Sequence, residues 1–153
     1  MTANLTTDQL CRCILRKHEL LVQLHDLARR QLEVVASEDT DRLLSLLAIK
    51  QPLLGELQRL ERELDPFREQ DPQQRVWRCS EDRRRCQVIA DRAAQLLQEV
   101  MQLERQAETA MIAQRDQTAL QLQTSGHAIA ARQAYAATPS FPSASQLDLL
   151  SET

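Results

Sequence analysis

The sequence predicts an all-α protein. The expected architecture is an antiparallel helical hairpin plus a long third helix, forming an elongated coiled-coil-like bundle with a disordered C-terminal tail. Three observations lead there. Residues 41–64, DRLLSLLAIKQPLLGELQRLEREL, carry leucines at steps of three, four or seven, which places them on one face of a helix. Only two glycines, Gly55 and Gly126, stand against roughly ten expected from average usage, which leaves little room for hairpin turns or a phosphate-cradling loop. Positions 79, 86, 93, 100 and 107 hold Cys, Cys, Ala, Val and Ala, a seven-residue repeat of the kind that forms a coiled-coil seam.

The first helix is expected over 7–36. Thr6 followed by Gln9 fits a capping box. The apolar stripe runs through Leu10, Ile14, Leu21, Leu24, Ala28, Leu32 and Val35, with Lys17 interrupting it. Ser37-Glu38-Asp39 makes a short polar link with Asp39 or Thr40 as the next cap, so the first two helices must run antiparallel as neighbours.

The second helix is expected over 40–64. Pro52 removes one backbone donor near Ala48 and Gly55 softens the following turn, but the leucine stripe stays in phase on both sides. Asp65-Pro66 and Asp71-Pro72 bracket the next connection, because each proline biases the residue before it away from helical geometry. Asp71 with Pro72 at the first helical position starts the third helix, expected over 72–123. These helices define one domain, 1–123. Residues 124–153 are rich in Ala, Ser, Thr, Gln and Pro and read as a flexible tail, with a short helix over 127–137 and apolar anchors at Ile129, Tyr135, Phe141 and Leu147/Leu149/Leu150.

Chemical motifs are sparse. The sequence has no G-x-S-x-G, H-E-x-x-H or Walker loop, and no enzymatic activity or cofactor is expected. Cys11 and Cys13 point about 200° apart on a helix, so they do not chelate one ion, and His18 and His25 lack a third ligand; no metal is expected. Cys79 and Cys86 read as small apolar fillers of the seam. A formal net charge of −3 argues against nucleic acid as a partner. No stretch of about 20 apolar residues is present, so no membrane insertion is expected. The N-terminus lacks a basic region followed by an apolar core, which points to the cytoplasm, where the four cysteines stay free thiols.

The pattern L-L-x-L-L-x-x-K-Q-x-L-L-x-x-L, Leu43 to Leu57, resembles the FlgN-type flagellar export chaperones, as does its setting in a hairpin, a long third helix and a tail with one tyrosine. The resemblance implies a small cytoplasmic protein of the flagellar type III secretion pathway. It would bind the C-terminal helical segments of hook–filament junction proteins, keep them from premature assembly, and deliver them to the flagellar export gate or ATPase complex. It places client binding on the latter half of the third helix and the start of the tail, at Leu96, Val100, Leu103, Ala107, Met111 and Leu120. Leu96 to Met111 fit an intramolecular core as well. Tyr135 occupies the place of the family's gate-contacting tyrosine, here followed by Ala-Ala-Thr-Pro without the glycines common in relatives. The rival reading is a structural coiled-coil oligomerisation or adaptor module, for which the third-helix seam predicts a homodimer.

Overall fold

The computed structural model describes residues 6–137. Three α-helices pack together: α1 (Thr7–Ser37), α2 (Thr40–Glu69) and α3 (Ser80–Ala137). Among the described residues there is no strand. The chain divides into two compact units, Met1–Met111 and Ile112–Thr153. The first holds α1, α2 and α3 as far as Met111.

Local chemistry sets the first helix ends. Thr6 Oγ1 accepts a hydrogen bond from the Gln9 amide at 3.3 Å, satisfying one orphan donor of α1. At the other end Glu38 takes a left-handed conformation, φ 60°, and its amide donates to the Val35 carbonyl at 3.2 Å. Asp39 follows at once and its carboxylate accepts from the Arg42 amide at 3.1 Å, opening α2. With only Glu38 and Asp39 between the helices, α2 must turn straight back along α1.

The second and third boundaries differ from the sequence expectation. α2 does not stop before Pro66 but continues to Glu69. The reason is Phe67, buried with Leu10, Leu64 and Cys86, whose burial outweighs the cost of the proline and its restricted neighbour Asp65. Asp71-Pro72 does start a helical turn, but only a 3₁₀ turn over Pro72–Gln74. Residues 75–79 are irregular, and α3 begins at Ser80 rather than at Pro72. Tertiary bonds hold this segment across the end of the hairpin. Arg75 Nη2 donates to the Phe67 carbonyl at 2.7 Å, Thr7 Oγ1 donates to the Val76 carbonyl at 3.0 Å, and Arg78 pairs with Asp8 at 2.6 Å. Trp77 thereby packs on the Leu10–Phe67 cluster. Cys79 falls outside α3 and is exposed, so the seam begins at Cys86.

From Cys86 the seven-residue pattern holds: Cys86, Ala93, Val100 and Ala107 are the buried positions of α3. They meet α1 in parallel register, with Cys86 beside Leu10 and Ala93 and Val100 beside Leu21 and Leu24. The small side chains at 93 and 107 let the backbones approach. On α2 only Leu60, Leu64, Phe67 and Lys50 are buried, while Leu53, Leu54 and Leu57 pack half-buried on the second cluster.

In the second unit α3 runs on to Ala137, so residues 124–137 belong to this helix rather than to a separate short one. Every side chain from 115 to 137 is exposed. The anchors expected at Phe141, Leu147, Leu149 and Leu150 lie outside the described residues. Leu21→Ala is therefore expected to cost about 2–5 kcal/mol in chemical denaturation. Leu122→Ala, at a site 68% exposed, is expected to change stability by no more than about 0.5 kcal/mol.

Candidate functional site: an open seam beside a polar node

The α1–α2–α3 unit carries charge where its pattern calls for leucine. Lys50 lies seven residues from Leu43 and from Leu57, on the α2 stripe, and is only 5% exposed. Its Nζ donates to Gln31 Oε1 of α1 at 2.7 Å and also to Glu104 Oε1 of α3. Gln31 is itself buried. One ammonium thus joins all three helices, and no buried side-chain nitrogen or oxygen among the described residues lacks a partner. Sequence reasoning passed over this node. The signal was present: Gln31, Lys50 and Glu104 are polar residues within otherwise apolar stripes, as is Lys17, the one interruption that the sequence reading did name.

A second polar contact joins the hairpin. Lys17 Nζ stands 2.7 Å from Glu61 Oε1, and Arg68 also pairs with Glu61. Burial alone would raise the Glu61 carboxyl, but hydrogen bonds and charge from Lys17 and Arg68 outweigh it, and its pKa falls below the ordinary 4.5. A lowered carboxyl contributes stability that is fully present above 4.5 and is lost as pH falls through its native value.

On the side of α3 away from Glu104, the α1–α3 seam is open. A cleft of about 490 Å³ is lined by Cys11, Leu15, Arg85, Cys86 and Ile89 among others. A second, of about 350 Å³, is lined by His25, Arg29, Glu99 and Leu103. His25 Nε2 lies 3.0 Å from Glu99 Oε2 across it. Leu15 and Val22 are seven apart on α1, as are Ile89, Leu96 and Leu103 on α3, and helical periodicity sets each series on one face. Leu15 is 45% exposed and Val22 46%. The seam is an apolar strip rimmed by mixed charge.

The residues expected to bind a client are divided by this arrangement. Val100 and Ala107 are buried against the hairpin. Leu96, Leu103 and Met111 are half-buried, with Leu103 lining a cleft. Leu120 and Tyr135 belong to the second unit and are exposed. Leu15, Val22 and Ile89 were not singled out from sequence, because a stripe does not say which of its edges a neighbour leaves uncovered. Cys11 and Cys13 face different helices: Cys11 lines a cleft with Cys86 of α3, whereas Cys13 Sγ donates to Glu63 Oε2 of α2 at 3.6 Å. Burial and then the Glu63 hydrogen bond push the Cys13 thiol up. Among the described residues no group of three or more His, Cys, Asp or Glu side chains is placed to hold a metal ion. No described helix is long and apolar enough to cross a membrane.

Comparison with known proteins finds no matching family model, no matching curated protein and no matching solved structure.

Lys50→Met is expected to strand the buried Gln31 amide and cost about 1–3 kcal/mol, while Gln31→Leu combined with Lys50→Met restores most of that loss in urea unfolding. Simple additivity of the two single variants would break the coupling. Glu61→Gln is expected to lower stability at pH 7 and to flatten the loss of stability below pH 4.5, read from melts across the acid range.

Proposed function

We propose that this protein is an export chaperone for amphipathic helices, of the kind that its resemblance to the FlgN-type flagellar chaperones implies. The observation that supports this best is the open α1–α3 seam. A three-helix unit with apolar side chains at heptad spacing along an uncovered groove can accept one more amphipathic helix by coiled-coil-like packing. Leu15 and Val22 would form one wall, and Ile89, Leu96 and Leu103 the other. The charged rim, with Arg85, Glu99 and Arg29, would orient the guest while adding little affinity. Half-buried rather than fully exposed side chains suit reversible holding, since the guest buries only part of each wall.

The guest in this reading is the C-terminal helical segment of a hook–filament junction protein, held in the cytoplasm before export. The exposed helix over 112–137 is a separate surface in the other unit, and Tyr135 on it is the proposed contact to the export gate or its ATPase complex.

The same seam also favours a second reading, a structural coiled-coil module in which another copy of the chain covers it. Calorimetric titration with C-terminal fragments of junction proteins separates the two. Saturable binding with a negative heat-capacity change is expected, because apolar surface leaves water. Val22→Glu should then weaken binding at least about tenfold, the equivalent of ~1.4 kcal/mol, without altering helical content. Absence of binding together with a concentration-dependent dimer in analytical ultracentrifugation would replace the chaperone reading with the oligomerisation one.

A further inference from the structure

Four cysteines occupy four different environments, and two of them meet. Cys86 is 6% exposed within the cluster of Leu10, Leu64 and Phe67. Cys11 packs against that same cluster from α1. Cys11 and Cys86 face one another across the α1–α3 contact, where both line the cleft of about 490 Å³. Their meeting follows from the parallel register of α1 and α3, which also sets His25 beside Glu99. Cys13 is turned to Glu63 of α2, and Cys79 is exposed on the connection, so neither shares this contact.

We propose that Cys11 and Cys86 form an oxidative modification site, at which a hydroperoxide joins them in a disulfide between α1 and α3. The chemistry runs in two steps. Cys11 is the more accessible thiol, on the cleft wall. Its sulfur attacks one peroxide oxygen, the O–O bond breaks, and the departing hydroxide leaves as water with the thiol proton. Cys11 is then a sulfenic acid. The Cys86 sulfur attacks the Cys11 sulfur, the S–O bond breaks, and a second water leaves with the Cys86 proton. Two thiols have lost two electrons and two protons, and one hydroperoxide has been reduced.

The roles are not interchangeable. Burial, and then the neighbouring Cys11 thiol, push Cys86 up to about 12, against a smaller opposing effect of the Arg75 charge. A thiol held protonated in apolar surroundings is a poor first nucleophile, which leaves the first attack to Cys11; Cys86 resolves the sulfenic acid because it shares the cleft with Cys11, not because of its acidity. The bridge would close the chain between the start of α1 and the start of α3, linking two segments that the irregular 75–79 connection otherwise holds by side-chain bonds. Because Trp77 packs on the same cluster and is the only tryptophan, its emission reports on the bridge directly.

The test uses the full-length reduced protein and hydrogen peroxide at a small molar excess. The expected product has lost two hydrogens by intact mass, yields a Cys11–Cys86 linked peptide on proteolysis without reductant, shows altered Trp77 emission reversed by dithiothreitol, and melts at a higher temperature. Cys11→Ser, at a half-buried site, should abolish the linked peptide while its melting temperature stays near that of the reduced parent. Cys79→Ser should leave the linkage unchanged. Addition of oxygen atoms at Cys11 without loss of two hydrogens overturns the proposal. So does a linked peptide that joins Cys79 or Cys13 instead. None of these outcomes depends on whether the seam holds a client.

Discussion

The Lys50 ammonium, buried between Gln31 and Glu104, is the constraint around which the three helices are set. Leucine stripes bind one another in many registers of similar energy, because dispersion and burial are not directional. A buried charge is directional. Sliding α2 along α1 or α3 by one turn would separate Lys50 from both acceptors and leave it in an apolar seam, at a cost greater than any leucine contact regained. A polar residue at one seam position is a known means of fixing helix register, and here one residue does so for two interfaces at once. The contacts of Lys17 with Glu61 and of His25 with Glu99 fall in the same register and reinforce it nearer the edges.

The opposite end of the unit is held by another means. Phe67, Leu10, Leu64 and Cys86 make an apolar plug, and Trp77 lies against it from the connection. That plug needs α2 to extend past Pro66 and needs residues 75–79 to stay irregular. The backbone groups freed by this choice are reused: the Phe67 carbonyl accepts from Arg75 and the Val76 carbonyl from Thr7. Cys86 belongs to this plug, which is why its thiol is buried and why α3 enters the bundle beside Cys11.

The functional reading rests on what this packing leaves uncovered. α3 gives one edge of its stripe to the hairpin through Glu104 and its centre through Ala93, Val100 and Ala107. Its other edge, Ile89, Leu96 and Leu103, faces the open seam with Leu15 and Val22. A fourth amphipathic helix is the occupant proposed for this open edge. The surface of residues 115–137 is of a different kind, a helix with every side chain exposed and isolated apolar residues at Leu120, Leu122 and Ile129.

Much of the fold was legible because it is local. Helix type follows from composition and periodicity, the starts of α1 and α2 from the Thr6 and Asp39 caps, the antiparallel hairpin from a link too short to do anything else, and the Cys86–Ala107 seam from spacing. The divergence of Cys11 and Cys13 was equally fixed, since two residues of helix turn a side chain by about 200°. The proline at 66 did not end α2, and the turn opened by Asp71-Pro72 stopped after three residues, for one reason: the energy that decided both came from Phe67 and Trp77 packing on a cluster that holds Leu10, which is distant in sequence. The burial of Lys50, the pairing of Cys11 with Cys86 and the choice of which α3 edge stays open have the same origin. By itself the sequence determined what each helix is and which face it must hide; only the tertiary structure decided what hides it, because that depends on which distant side chains arrive alongside.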